Sequence, residues 1–266
     1  MYTSFHGEKT FFHNGIMYLD WLSLCDRHLA PRSYFEIGTH SGESLNRFSC
    51  DAVCVDPEFL IKQHAWKSRR RTFLYQMSSD DFFADIDLRT HFPAGPDIGF
   101  LDGMHWSEYL LRDFIAFERK AHSRTLVFLH DCLPLNVRMT DRVARAGDEA
   151  EEGPLHTFWT GDVWRVLFAL KNYRPDLQVA YLDCPHTGLV AISGLDPTST
   201  VLGRNYDKAV REMMALELDG PRMRELWNLY PMIDTARLAA SSCDTGSKFI
   251  CGCPRKPATK REQGRS

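Results

Sequence analysis

No stretch of this 266-residue chain approaches the roughly 20 consecutive apolar residues that a membrane-spanning helix needs. The first residues, MYTSFHGEKTFFHNG, lack a basic segment followed by an apolar one, so no secretory leader is expected. Charge of one sign is not in excess: 32 Lys and Arg face 35 Asp and Glu, for a net charge of −3. Neither a nucleic acid nor an anionic membrane is therefore expected as a partner. The eight cysteines lack the spacing of a disulfide framework. Cys50, Cys54, Cys132 and Cys184 lie in or beside apolar stretches and read as reduced thiols of a cytoplasmic protein. Cys243, Cys251 and Cys253 cluster near the C-terminus without a His or fourth Cys at a zinc-site spacing, and a reduced tail is the favoured reading. No internal repeat is present.

What the chain does contain is alternation. Residues 1–32 hold one helical pattern, with Ile16, Leu19, Trp21, Leu22 and Leu24 near one face and Pro31 at its end. Five short apolar runs follow, read as strands: Tyr34 to Ile37, Ala52 to Val55, Phe73 to Met77, Ile98 to Leu101 and Thr125 to Leu129. Helical segments fill the gaps, one expected from Gly42 and one over 107–121. Strand–helix alternation implies an α/β fold, a mostly parallel sheet with helices on both faces. The end of the core departs from this. After a helix over 162–173 come runs at 177–182 and 189–193, joined by a connection too short for a parallel crossover, so they form an antiparallel hairpin.

The expected organisation is an N-terminal helical segment (1–32), a core domain (33–195), a C-terminal helical segment (196–240) and a basic tail without order (241–266). A polar insert at 134–160 lies in the core, read either as a lid over a site or as a surface loop.

Polar residues gather at the carboxyl ends of the strands, where open α/β sheets bind ligands. The first strand runs into Glu36-Ile37-Gly38-Thr39-His40-Ser41-Gly42-Glu43-Ser44. Its glycines allow a sharp turn and close backbone approach, but the central Gly of a dinucleotide fingerprint is missing. Asp56 ends the second strand, where an acid can accept both ribose hydroxyls of an adenosine. After the third strand, Ser79 or Asp80 could meet an adenine, while Ser78 could equally cap the next helix. The fourth strand delivers Asp102, Gly103 and His105, and the fifth delivers His130 and Asp131. Two acids and two histidines could hold a divalent cation such as Mg²⁺, or serve metal-free with a histidine as base.

The segment Glu36 to Ser44 resembles the first motif of small cation-dependent O-methyltransferases such as catechol O-methyltransferase. The pattern Asp102-Gly103-x-His105 with His130-Asp131 is closer to bacterial class I methyltransferases related to macrocin O-methyltransferase and cephalosporin hydroxylase. The resemblance covers roughly residues 33–193. It implies a Rossmann-like class I methyltransferase fold and an S-adenosylmethionine-dependent methyltransferase acting on a hydroxyl of a small molecule, such as a sugar or secondary metabolite. By that resemblance, Glu36, Gly38, His40 and Ser44 line the methionine end of the cofactor, Asp56 holds its ribose, Ser79 lies by its adenine, and Asp102 and Asp131 ligate a cation. His130 stands where the family often has an acid, and His105 where the catechol enzymes carry a lysine. The expected cofactor contacts are Glu36, Gly38, His40, Gly42, Ser44, Asp56, Ser79, Asp80 and Asp102. The expected catalytic residues are His105 and His130. The competing readings are a nicotinamide-dependent oxidoreductase, against which the missing Gly and terminal hairpin speak, and a non-catalytic nucleotide-binding module. A homo-oligomer is compatible with all three.

Overall fold

The alternating pattern becomes one large sheet. The computed structural model describes residues 3–5, 8–10, 12–61, 69–143 and 158–241. Strands β1 (Thr3–Phe5) and β2 (Glu8–Thr10) form a small antiparallel pair, which the sequence reading does not anticipate. There follow α1 (Tyr18–Leu29), β3 (Ser33–Ile37), β4 (Asp51–Val55), β5 (Thr72–Tyr75), α2 (Ser79–Asp85), β6 (Ile98–Leu101), α3 (Ser107–Glu118) and β7 (Leu126–His130). Then come α4 (Arg165–Tyr173), β8 (Gln178–Leu182), β9 (Leu189–Ser193), α5 (Val201–Arg204), α6 (Tyr206–Met214), α7 (Gly220–Trp227), β10 (Met232–Ile233) and α8 (Thr235–Ser241).

The eight-stranded sheet has the order β10-β8-β9-β7-β6-β3-β4-β5. Strands β5, β4, β3, β6 and β7 are parallel, and β9 lies antiparallel between β7 and β8. This is the expected Rossmann-like α/β arrangement, a parallel sheet closed by an antiparallel hairpin. The central point of the order is β3–β6, where the chain switches direction across the sheet, the place where open α/β sheets bind ligands. One addition was not expected: β10 pairs parallel with β8, Met232 opposite Tyr181, inside a stretch read as wholly helical.

Side chains alternate across the sheet because the strand period is two. Phe35, Val53, Val55, Val127 and Leu129 pack on one face with Phe114 and Phe117 of α3, Leu167 of α4 and Leu226 of α7. Tyr34, Ala52, Cys54, Phe100 and Phe128 pack on the other with Trp21, Leu22 and Cys25 of α1. Helices thus cover both faces. A Cβ at Gly99 would lie 2.3 Å from the Phe117 ring, so the glycine is what lets α3 sit close on β6.

The helix expected from Gly42 is not there. The crossover from β3 to β4 contains only a single 3₁₀ turn, Leu45–Arg47. Gly38, His40 and Gly42 adopt φ of 86°, 42° and 77°, which a right-handed helix cannot contain. The turn is also tied from outside: Arg69 donates to the carbonyls of Leu45 and Phe48. The helix N-terminus expected behind the glycine turn is therefore absent.

Candidate functional site

The loop after β3 is built around a buried acid. Glu36 is fully buried and accepts hydrogen bonds from the hydroxyls of Tyr34 (3.1 Å), Thr39 (3.2 Å) and Ser44. Burial pushes its carboxyl up to about 7, against the pull of those three hydroxyls. Glu36 and Ser44 thus hold the turn from inside. Gly38 brings that turn onto the end of β6: a Cβ there would lie 1.8 Å from the Asp102 carbonyl oxygen.

Asp56, at the end of β4, is almost fully buried. Its Oδ2 accepts the His40 N–H at 2.7 Å and its Oδ1 the Glu58 N–H at 2.8 Å. The Leu60 N–H bonds the His40 carbonyl at 2.9 Å, so the two loops are laced together. After β5, Ser78 caps α2 by accepting the Asp81 N–H at 3.1 Å. Ser79 instead hydrogen-bonds Asp113 of α3, a buried acid that desolvation pushes up to about 7. Asp80 is held by both Nε and Nη2 of Arg112, at 2.9 and 2.5 Å. Ser79 and Asp80 therefore engage α3.

The strand ends of β6 and β7 bring the remaining predicted residues together. Nε2 of His105 lies 3.5 Å from Asp102 Oδ1 and 3.3 Å from Asp131 Oδ2. Nδ1 of His130 lies 3.2 Å from Asp102 Oδ1 and 3.3 Å from Asp131 Oδ2. The four atoms form a closed ring in which acids and imidazoles alternate. Burial opposes a charge on His105 and on His130, but the adjoining Asp102 and Asp131 outweigh it and raise both imidazoles. Asp102 moves the other way: burial would raise it, and the two imidazoles bring it well below the usual carboxylate range. Asp131 sits at φ 55°, a left-handed conformation uncommon for a residue with a side chain. Thr187, in the β8–β9 connection, donates its hydroxyl to Asp131 Oδ1 and so leaves Oδ2 to the ring. Asp102, His105 and Asp131 have ligand atoms that all lie within 4.8 Å of one another.

Three residues the sequence reading missed complete the surroundings. Tyr18, at the start of α1, lays its ring 4.3 Å from that of His130. Burial raises its phenol, and Asp102, Asp131, Glu43 and Glu36 add to the shift. Trp159 stacks on His105 at 4.8 Å and 24°, and Thr187 secures Asp131. Each comes from a segment distant in sequence, and nothing local marks any of them.

The stems of the polar insert are anchored here as well. Arg142 bonds Glu108 at 2.5 Å and Asp162 at 2.7 Å, and its guanidinium lies over Trp106. The indole N–H groups of Trp106 and Trp159 donate to the carbonyls of Arg142 and Asp141. The middle of the insert, 144–157, lies outside the described residues, as does the tail from 242 with Cys243, Cys251 and Cys253. Among the described residues, no helix is long and apolar enough to cross a membrane.

No family model and no curated protein matches this chain. Similar solved structures include the S-adenosylhomocysteine-bound methyltransferase PaMTH1 of Podospora anserina, 14% identical, covering 67% of this chain and 78% of that one, with a TM-score of 0.49. An O-methyltransferase of Bacillus cereus in complex with S-adenosylhomocysteine is 14% identical over 66% of this chain and 80% of its own, TM-score 0.44. The O-methyltransferase TomG of Streptomyces achromogenes is 15% identical over 67% and 80%, TM-score 0.45. At these identities and scores the likeness adds no functional assignment.

Proposed function

We propose that this protein transfers a methyl group from S-adenosylmethionine to a hydroxyl of a small molecule. The carrying observation is the placement of acids along adjacent strand ends. Asp56 lies at the end of β4, where an adenosine ribose would be held. Asp102 and Asp131 lie at the ends of β6 and β7, beside the Gly38 turn. The carboxylates of Glu43, Asp102 and Asp131 all act on the Tyr18 hydroxyl, so this end of the crevice is rich in acids. That suits the cationic methionine end of the cofactor, whose sulfonium supplies an electrophilic methyl group when bound.

The chain's own residues supply orientation and a proton acceptor. Glu36, through Thr39 and Ser44, fixes the turn that carries Gly38, His40 and Gly42. Asp56 keeps its remaining lone pairs for the ribose. Ser79 and Asp80 contribute to the adenine end through the helix they start. His105 and His130 each reach two carboxylates, and one of them, in its neutral form, takes the acceptor's proton. A divalent cation, Mg²⁺ or another, would be held by Asp102 and Asp131 and would lower the acceptor hydroxyl's pKa. We place the protein in the cytoplasm, in keeping with the unpaired thiols of Cys25, Cys50, Cys54, Cys132 and Cys184, with no nucleic-acid partner.

Calorimetry tests the reading. S-adenosylmethionine binds and NAD does not, and Asp56→Ala weakens the binding by roughly 1–3 kcal/mol through loss of charge-assisted bonds. NAD binding without S-adenosylmethionine binding overturns the proposal.

A further inference from the structure

His105 stands on the turn between β6 and α3 and belongs to neither element. Its setting comes from a segment distant in sequence, Trp159 to Asp162. The Trp159 ring stacks on the imidazole at 4.8 Å and 24°. Gly161, at φ 58°, passes so close that a Cβ there would lie 1.9 Å from the His105 carbonyl oxygen. The Asp162 N–H donates to that same carbonyl at 3.1 Å. The Asp162 carboxylate accepts the Ser107 N–H at 2.8 Å. His105 is thereby held at its ring, at its carbonyl and at the start of the helix that follows it.

Asp162 is the acid of this segment, and it is 1% exposed. Trp106, the N-cap residue of α3, offers no side-chain cap, so Asp162 supplies the acceptor from outside the helix. Capping alone asks for one oxygen, and a hydroxyl or an amide would serve. The second oxygen has another part: it accepts Arg142 Nη1 at 2.7 Å and Arg165 Nη1 at 2.8 Å. Arg142 stands on the first stem of the insert and Arg165 at the start of α4. Glu108, in the first turn of α3, takes Nη2 of Arg142 at 2.5 Å. Thr160 joins the two stems again, its N–H and its hydroxyl donating to the Met139 carbonyl at 2.9 and 3.0 Å. A buried carboxylate shared by two guanidinium groups and a backbone N–H resists displacement, because moving it leaves charge unpaired away from water.

We infer that Asp162 is a positioning residue for His105: it fixes the direction from which the imidazole meets the acceptor, acting through the His105 carbonyl and the Ser107 N–H. The inference rests on the methyl-transfer reading above for what the imidazole does. How the imidazole is set follows from the contacts just given.

The experiment is nuclear magnetic resonance of the imidazole protons in the full chain. A ring stacked on an indole has its protons shifted upfield, and His105→Gln identifies which of the 11 histidines gives that signal. Asp162→Ala abolishes the upfield shift of His105, while His91 and His122, which bond Tyr75 and Asp97, keep their signals. Asp162→Asn, nearly equal in volume, moves the His105 signal in the same direction and decides the matter should the alanine variant fail to fold. An amide presents a single oxygen, which cannot serve the Ser107 N–H and two guanidinium groups together. An unmoved His105 signal in a folded variant overturns the inference. So does a change spread over all the histidines, which would mark Asp162 as a general support of the fold. S-adenosylmethionine titrated into the same proteins keeps the two readings apart. Parent and variants bind it within about twofold of one another, the spread of sites without shared partners. A variant that loses the cofactor along with the His105 signal makes Asp162 part of the cofactor site and overturns the inference. A parent that does not bind the cofactor sinks methyl transfer, and the imidazole signals still report whether Asp162 sets His105.

Discussion

At the β4–β5 end of the sheet, the polar side chains are bonded to the protein itself. Asp56 holds two backbone N–H groups, Ser78 caps α2, and Asp80 holds Arg112. At the β6–β7 end, a few residues away across β3, Asp102, His105 and His130 have mainly each other, and buried atoms there lack hydrogen bonds. Similar residue types at equivalent strand ends thus do different work. A satisfied acid builds the loop that carries it, whereas an unsatisfied one is available to something not yet bound. The first kind ties the loops to the scaffold, and the second leaves polar atoms without a partner.

The sharpest test of this difference compares loss of activity with loss of stability. His105→Ala lowers methyl transfer at saturating substrates by roughly 10²–10⁴-fold, while the unliganded protein loses only about 1–2 kcal/mol in denaturant unfolding, from acids left less well paired. A variant that is destabilised by several kcal/mol would place His105 on the structural side of the comparison. Asp56→Ala shows the converse behaviour. Even without cofactor it costs about 1–3 kcal/mol, because two backbone N–H groups lose a charged acceptor. Unchanged unfolding would mean that the two loops hold without it.

A smaller effect follows from pH. Burial raises Glu36 and Asp113 to about 7, so the fold favours their protonated forms. Stability is greatest near and below the ordinary acid range and is lost as pH rises toward and through 7, by roughly 1–3 kcal/mol per group. Glu36→Gln, which cannot ionise, flattens that slope between about pH 5 and 8. Denaturant titrations at several pH values measure it, and an undiminished slope would remove Glu36 from the account.

Much of the architecture was legible in the chain. Apolar runs of strand length punctuated by acids located β3, β4, β6 and β7, and a six-residue connection made β8 and β9 antiparallel. Asp56, Asp102, His105, His130 and Asp131 were legible because each lies at or within a few residues of a strand's carboxyl end, so topology alone places it on the binding edge. The failures share a cause in long-range contacts. The helix after Gly42 is lost to left-handed backbone and to Arg69, which reaches back from beyond β4. Ser79 and Asp80 are drawn to α3 by Asp113 and Arg112, which lie more than thirty residues ahead. Strand β10 is two residues long and exists because β8 offers an open edge. Tyr18 and Trp159 reach the ring from opposite sides of the chain, and no local pattern distinguishes them from ordinary core aromatics.

Arg142 and Trp159 each fasten one stem of the insert to the segment that carries His105, through Glu108, Asp162, Trp106 and the imidazole itself. Among the described residues, both attachment points are thereby fixed to the rim of the site by contacts outside the strands. The rim is thus a socket, held by side chains of the loops and helices and separable from the ladder of strand pairings beneath it.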